Sequence, residues 1–178
     1  FRDTDGREVD FVVTEHGPLL RSVFPDEPRA NSLALRWTGQ AERSGVEALY
    51  RLQRCGDWSC FRAALREVRA PAATFLYSDA TGATGTQVAG DLPLRAIETG
   101  LLPLAGASRY YDWRGTADFD SLPSSYGANL PVQVVSPHPD AASFRTSITW
   151  LWSNQGAAER VRELLARPGA LDVEGLVA

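Results

Sequence analysis

The sequence predicts an α+β fold, because strand-like and helix-like patterns occupy separate stretches of the chain. Residues 9–14 alternate side chains as a strand does, and residues 73–78 form the short apolar run of a buried strand. Between them Phe61, Leu65 and Val68 recur at helical spacing and form one apolar stripe. With 178 residues, 44% of them hydrophobic, the chain is long enough to bury one sizeable core.

The first forty residues predict strands joined by turns. Asp5-Gly6 is a strong turn dipeptide, so residues 1–4 and 8–14 are expected to form a hairpin. His16-Gly17-Pro18 ends this strand. Two further strand-like stretches follow it, at residues 19–24 and 32–37.

Two helices are predicted next. The first runs over residues 45–53, with Ser44 as its N-cap and Glu47 completing a capping box. Gly56 ends it, and Asp57 caps the second helix, which carries the apolar stripe. Pro71 marks the end of that second helix.

The second half of the chain predicts a hairpin, a long loop and a helical end. Residues 73–78 and 84–88 are expected to pair across a turn at 79–82. Residues 90–127 are rich in Gly, Pro and aromatic residues with little periodicity, which is typical of a loop that lines a site or covers a core. Helical patterns follow at residues 144–152, 157–166 and from Leu171, and residues 1–178 are interpreted as one unit.

Composition excludes several classes of protein. The net charge is −4 and the pI is near 5.2, so no nucleic-acid partner is predicted. No apolar run reaches the roughly 18 residues that would cross a bilayer. Two cysteines and two separated histidines do not suit a tetrahedral zinc site, and no metal site is predicted. Cys55 and Cys60 either pair in a small loop, as in an oxidising compartment, or are two buried free thiols.

Residue patterns alone do not identify a catalytic centre. The chain has no Gly-x-Ser-x-Gly elbow, no phosphate-binding loop and no His-Glu-x-x-His pair. Asp118 and Asp120 are interpreted as solvated loop carboxylates rather than a catalytic pair. His16 is expected to hydrogen-bond a neighbouring backbone group and fix the turn, with general-base chemistry as the alternative. His138 lies between two prolines and is expected to be exposed.

An ordered set of short motifs resembles the β-subunit of the penicillin acylase family, which includes penicillin G, cephalosporin and acyl-homoserine-lactone acylases. Each motif is weak alone, but they occur in the family's order over nearly the whole chain. The main ones are Thr14-Glu15-His16-Gly17-Pro18, Ala34-Leu35-Arg36-Trp37, Asp57-Trp58, Phe75-Leu76-Tyr77-Ser78-Asp79, Tyr111-Asp112-Trp113-Arg114-Gly115 and Ala128-Asn129.

The resemblance implies part of an αββα sandwich in which an N-terminal Ser, Thr or Cys is both nucleophile and base. Phe1 has neither a hydroxyl nor a thiol, so we expect the nucleophile in upstream sequence. The chain is then a segment, 1–178, of the β-subunit, and its partners are the remaining α and β segments of the same precursor and a small N-acyl substrate. No cofactor is expected, although the resemblance allows a structural Ca²⁺.

Three residues take roles through the resemblance. Asn129 is expected to donate to the oxyanion, with a simple turn residue as the alternative. Arg160 resembles an arginine held near the active site, with a solvated helix charge as the alternative. Ala73 matches a residue that lines the acyl pocket, where a small side chain leaves room for an aliphatic or bulky acyl group.

The function implied is that of an amidohydrolase made as a self-cleaving precursor. Its substrate is expected to be an acyl-homoserine lactone, a β-lactam side chain or a lipopeptide, and its location periplasmic or secreted. The alternative is a non-catalytic binding or scaffolding segment of a decayed acylase. Self-cleavage at a Gly-Ser, Gly-Thr or Gly-Cys junction in the complete protein would separate the two.

Overall fold

The computed structural model describes residues 6, 11–40, 45–96, 102–128, 159, 160 and 163. Within these residues it contains two short helices, a two-stranded sheet and a three-stranded sheet. The elements are β1 (Val13–Thr14), β2 (Gly17–Pro18), α1 (Val46–Leu52), α2 (Trp58–Leu65), β3 (Ala73–Ser78), β4 (Ala83–Ala89) and β5 (Ser124–Ala128).

The chain reverses at His16, where strands β1 and β2 pair antiparallel with Thr14 opposite Gly17. The strand predicted for residues 19–24 is wrong, because a 3-10 turn occupies Leu20–Ser22. The N–H groups of Val23 and Phe24 both donate to the Leu20 carbonyl at 3.0 Å, so they cannot join a strand ladder.

The strand predicted for residues 32–37 is reduced to one isolated bridge, which joins Ala34 to Leu19. Residues 20–22, which lie next to it, form a 3-10 turn. They therefore provide no regular strand with which residues 32–37 could pair. The hairpin predicted at residues 1–14 lies largely outside the described residues, of which only 6 and 11–14 belong to it.

Helices α1 and α2 form where the sequence predicts them. Gly45 occupies the N-cap of α1 without a side-chain cap bond, and Ser44 lies outside the described residues. Asp57 caps α2 as expected, since its carboxylate accepts the Cys60 N–H at 2.8 Å. A disulfide joins Cys55 to Cys60 and closes the corner between the two helices. Of the two alternatives predicted for these cysteines, a disulfide and two free thiols, the structure shows the disulfide.

The central sheet has the antiparallel order β3-β4-β5. The predicted turn between β3 and β4 is confirmed. The Asp79 carboxylate accepts hydrogen bonds from the Thr81 backbone N–H at 2.8 Å, the Thr81 hydroxyl at 2.6 Å and the Ala83 N–H at 3.2 Å. Side-chain capping of this kind is typical of Asp at a turn.

Strand β5 lies inside the stretch predicted as a loop. Its residues Ser124 to Ala128 pair with β4 although three of the five are Ser or Gly, which have low strand propensity. The other described residues of the predicted loop, 90–96 and 102–123, form no regular strand or α-helix but make several backbone contacts. A bridge joins Pro93 to Thr116, and 3-10 turns occupy Arg109–Tyr111 and Phe119–Ser121.

The core lies between α1, α2 and one face of the sheet. Leu65 and Ala89 are completely buried there, and Phe61, Phe75 and Phe119 pack against them. Leu92 and Leu122 form a second small cluster next to it. Of the predicted stripe, Leu65 and Val68 are buried.

The helical patterns predicted near the C-terminus lie mostly outside the described residues. Glu159, Arg160 and Glu163 are described, and all three are helical and exposed. Among the described residues, no helix is long and apolar enough to cross a membrane.

Candidate functional site

Strand β5 leads directly into the residue expected to donate to the oxyanion. β5 pairs with β4 from Ser124 opposite Gln87 to Ala128 opposite Ala83, and Ala128 is its last residue. Asn129 follows in the sequence and lies outside the described residues. The described structure therefore fixes the strand that precedes Asn129 up to its final peptide.

Ala73 lies at the opposite end of the sheet from Ala128. Ala73 pairs with Ala89, whereas Ala128 pairs with Ala83, at the other end of β4. Ala83 and Ala89 are the two ends of the seven-residue strand β4, so they lie about 20 Å apart at the usual rise per residue. The structure does not bring Ala73 close to the end of β5.

Arg160 is exposed on its helical segment. Its side chain is 55% exposed, and its guanidinium forms an ion pair with Glu163 at 2.8 Å, one helical turn away. Its role near the active site stays a prediction.

Four aromatic rings pack where α2 crosses β3 and β5. Trp58 stacks on Tyr126 with centroids 5.0 Å apart and an interplanar angle of 6°, and it also contacts Phe61 and Tyr77 at 5.5 Å. Gly85 makes this possible, because a Cβ there would lie 2.9 Å from the Trp58 ring and 2.7 Å from the Ser125 carbonyl oxygen. The cluster holds β5 against α2 three residues before Asn129.

Tyr77 is a hydrogen-bond donor in this cluster. Its hydroxyl donates to the Asp79 carboxylate at 3.1 Å. Burial, and then the neighbouring Asp79, raise the pKa of Tyr77 above its ordinary value. The phenol, protonated at neutral pH as in any tyrosine, donates this bond to Asp79 at the start of the β3–β4 turn, and the raised pKa extends the protonated form to higher pH.

His16 joins the first turn of the chain to the loop at 102–113. Its Nε2 lies 2.8 Å from the Gly106 carbonyl oxygen, and since a carbonyl only accepts, Nε2 is the donor. Its Nδ1 lies 3.6 Å from the Asp112 carboxylate. The prediction that His16 bonds a backbone group holds, although the partner is 90 positions away rather than a neighbour.

Asp112 is shared between His16 and Arg36. The Arg36 guanidinium donates to Asp112 at 3.2 Å and lies 4.9 Å from the centre of the Trp113 ring. Three of the motifs that carry the family resemblance thus meet at one place. The Nε2–H of His16 donates to the Gly106 carbonyl while its Nδ1 faces Asp112, so these contacts hold the three motifs together.

Two arginine side chains hold the Asp120 carboxylate. The sequence predicted a solvated loop carboxylate here and did not predict these contacts. Arg66 donates to it twice, at 2.9 Å and 2.7 Å, and Arg62 donates once, at 2.9 Å. Arg62 also donates to Gln87, the one fully buried polar side chain among the described residues. The signal in the sequence was the i, i+4 spacing of Arg62 and Arg66, the C-cap of α2, which places both side chains on one side of the helix end.

Asp118 has a separate local role. Its carboxylate accepts the Asp120 backbone N–H at 3.2 Å and caps the 3-10 turn Phe119–Ser121. Within the described part of the chain, no group of three or more His, Cys, Asp or Glu side chains could hold a metal ion. His138 lies outside the described residues.

Known proteins resemble the chain over most of its length. The sequence model of the penicillin amidase family matches residues 1–178. Two proteins called acyl-homoserine lactone acylase QuiP, from Pseudomonas fluorescens strains Pf0-1 and Pf-5, are each 31% identical to it over 171 and 172 residues. Each match covers 93% of this chain but 20% of the relative, so the chain spans about a fifth of these relatives.

A solved structure shares the fold. The thermostable penicillin G acylase from Alcaligenes faecalis, in its orthorhombic form, superposes with a TM-score of 0.63. The match covers 88% of this chain and 29% of that one, at 19% sequence identity. The mixed helix and sheet architecture is therefore that of part of an N-terminal-nucleophile hydrolase fold, as the sequence predicted.

Proposed function

The chain belongs to the penicillin amidase family, and we propose that it is the oxyanion-donating segment of an amidohydrolase that cleaves N-acyl amides. The observation that carries this proposal is the family match over residues 1–178, together with a β5 strand that runs directly into Asn129. The nucleophile is supplied by another segment of the same precursor, which matures by self-cleavage. No cofactor takes part.

The proposed chemistry assigns one task to Asn129. Attack on an amide carbonyl places negative charge on its oxygen, and a fixed N–H donor stabilises that charge more in the transition state than in the ground state. An Asn side-chain amide supplies such a donor without titrating. The sheet contacts of β5 would keep this donor fixed.

The favoured substrate is an N-acyl-homoserine lactone. The two relatives named acyl-homoserine lactone acylase are 31% identical to the chain, whereas the penicillin G acylase is 19% identical. Hydrolysis of such lactones would quench quorum sensing. β-Lactam side chains and lipopeptide acyl groups are the alternatives within the same chemistry, and comparing a long-chain acyl lactone with phenylacetyl penicillin would separate them.

Two further site assignments are proposed on the family resemblance. Ala73 would line the acyl pocket, and because it lies about 20 Å along the sheet from the end of β5, a substrate contacting both ends would need a long acyl chain. Arg160 would act near the active site. Its ion pair with Glu163 would break when the segments assemble. A structural Ca²⁺ would belong to other segments or to residues outside the described ranges.

The protein is proposed to be periplasmic or secreted. The disulfide between Cys55 and Cys60 supports this, since disulfides persist in oxidising compartments and are rare in reducing ones. A non-catalytic scaffold derived from an acylase is the competing proposal. Sequencing the N-terminus of the mature nucleophile-bearing segment would identify a self-cleaved Ser, Thr or Cys and exclude the scaffold.

The test of the proposed function is Asn129→Ala in the complete protein. Loss of one oxyanion donor should lower kcat by about 10²–10³ while KM changes little. The rate of acyl-lactone hydrolysis and the thermal unfolding temperature should be measured together.

Asn31→Ala is the matched control, because Asn31 is an exposed asparagine whose side-chain amide donates to the Pro28 carbonyl, at 3.3 Å, within its own turn. It should leave kcat unchanged. Normal turnover in Asn129→Ala, with both variants folded, would remove Asn129 from the mechanism.

A further inference from the structure

We infer that Asp120 is a positioning residue for the proposed reaction, because Arg62 of α2 and Arg66 at the C-cap of that helix hold it in the turn just before the strand that leads to Asn129. This inference rests on the proposed function. It adds a residue that the family resemblance does not assign, and it explains how a Ser- and Gly-rich strand keeps a defined position.

The contact between Arg66 and Asp120 is bidentate. Nη1 and Nη2 of Arg66 donate to the two different carboxylate oxygens at 2.9 Å and 2.7 Å. Arg62 adds a third bond to one of these oxygens at 2.9 Å. Two parallel N–H···O bonds fix the orientation of the carboxylate as well as its distance, which a single ion pair does not do.

Arg62 connects this carboxylate to the buried face of the sheet. Its Nε donates to the Gln87 side-chain oxygen at 2.9 Å, and the Gln87 amide donates to the Val88 carbonyl at 2.8 Å. Gln87 is 0% exposed, so an unsatisfied amide there would be costly. Arg62 therefore has little freedom to move away from Asp120.

The turn that carries Asp120 is fixed on both sides. Phe119 lies beneath both guanidinium groups, 5.2 Å from Arg62 and 4.6 Å from Arg66. Leu122 is buried, and the Pro123 carbonyl accepts the Val88 N–H at 2.9 Å. β5 starts at the next residue, so the position of Asp120 is transmitted to the strand by continuous chain.

Pairing with β4 and the Trp58–Tyr126 stack hold β5 in the sheet, and the Asp120 contacts add a constraint on the turn before it. Ser124, Ser125 and Tyr126 are exposed, so little apolar burial holds the first part of the strand. A displacement of about 1 Å at a catalytic group is enough to cost roughly 10² in rate. Releasing Asp120 would let the turn shift and misplace the residue that follows β5.

The experiment is a double-mutant cycle in the complete protein. Asp120→Asn, Asn129→Ala and the double variant are compared for kcat, KM and thermal unfolding. Glu67→Gln is the matched control, since Glu67 is another carboxylate just after α2 that is paired with an arginine, Arg51 of α1. Glu67→Gln should leave kcat unchanged.

Asp120→Asn is expected to lower kcat by about 10-fold or more with KM within about 2-fold, since only the transition state uses the donor. If Asp120 acts through Asn129, the double variant should be no slower than Asn129→Ala alone. A merely structural role would instead lower the unfolding temperature and leave kcat of the folded fraction unchanged.

The two failures are distinguishable. Normal turnover in Asn129→Ala would refute the proposed oxyanion donor, and the inference would fall with it. A slow Asn129→Ala with a normal Asp120→Asn, or losses that multiply in the double variant, would refute the inference alone. If Asp120→Asn does not mature, Arg66→Gln removes the bidentate contact but leaves the Arg62–Gln87 bond, and the same criteria apply to it.

Discussion

Gly17 shows how one residue fixes the path of the N-terminal segment. Its φ of +117° is rarely adopted by residues with a side chain, and a Cβ there would lie 2.0 Å from the Leu35 carbonyl oxygen. The Leu35 N–H donates to the Pro18 carbonyl at 2.9 Å, so the two segments cannot separate without losing that bond.

Gly17→Ala should therefore destabilise the complete protein by at least about 2 kcal/mol, because backbone strain and a backbone clash act together. Urea unfolding measures this free energy. Gly56→Ala is the control, since no atom lies within 4 Å of a Cβ at Gly56 and its φ is ordinary. Equal effects of the two substitutions would contradict the argument.

Individual side chains were predictable from sequence where their partners are local. Asp57 caps the helix that it precedes, and Asp79 closes the turn that it starts. The partners of His16 and Asp120 lie 90 and 54 or more positions away, and no local pattern specifies such distances. The requirement for glycine at position 17 likewise could not be predicted from sequence. It arises because the Leu35 carbonyl oxygen occupies the space that a Cβ would need.

Helix α2 depends on its cap as an element. It has eight residues, which is too short to be stable from propensity alone. Asp57→Ala should cost about 1 kcal/mol, the usual loss when an N-cap acceptor is removed. Thermal or urea unfolding of the complete protein gives the value.

Asp57→Asn is the control for this prediction, because Asn can still accept the Cys60 N–H and caps helices about as well as Asp. It should lose only a small part of the stability that Asp57→Ala loses. If both variants were equally destabilised, the negative charge of Asp57 and not its cap bond would be the stabilising feature.

The strands show what pattern reasoning can and cannot recover. β3 and β4 were predictable, because an apolar run, a turn and a return strand are contiguous in sequence. β5 was not, since Ser124, Ser125 and Gly127 lack strand propensity and are held in the sheet by pairing with β4. Tertiary contacts, including the Trp58–Tyr126 stack, override the local preference there.

For the molecule as a whole, ordered motifs identified the family and the α+β class, while sheet register decided how the site residues are arranged. The family was predicted from the sequence order of the motifs alone. The match of the family model over residues 1–178 confirms that prediction. The separation of Ala73 from the end of β5 could not be predicted, because it depends on which residues pair across three strands.

Stability of the whole molecule should depend on pH through Asp120. Hydrogen bonds from Arg66, followed by the charges of Arg66 and Arg62, lower the pKa of Asp120 below its ordinary value of 3.8. A carboxyl whose pKa is lower in the folded state binds fewer protons there than in the unfolded state. Its contribution to stability is therefore complete well above pH 3.8 and is lost as pH falls through the lowered pKa.

The difference in unfolding free energy between the parent protein and Asp120→Asn, followed by urea unfolding from pH 7 downwards, tests this directly. It should be constant at neutral pH, begin to shrink near pH 3.8 and vanish once the carboxyl of the folded protein is protonated. High salt should also reduce it, because the side chain of Asp120 is 52% exposed and its ion pairs are partly screened. A difference that stays the same from neutral pH to pH 2 would show that the arginines do not hold the ionised carboxylate, and that the position of β5 does not depend on its charge.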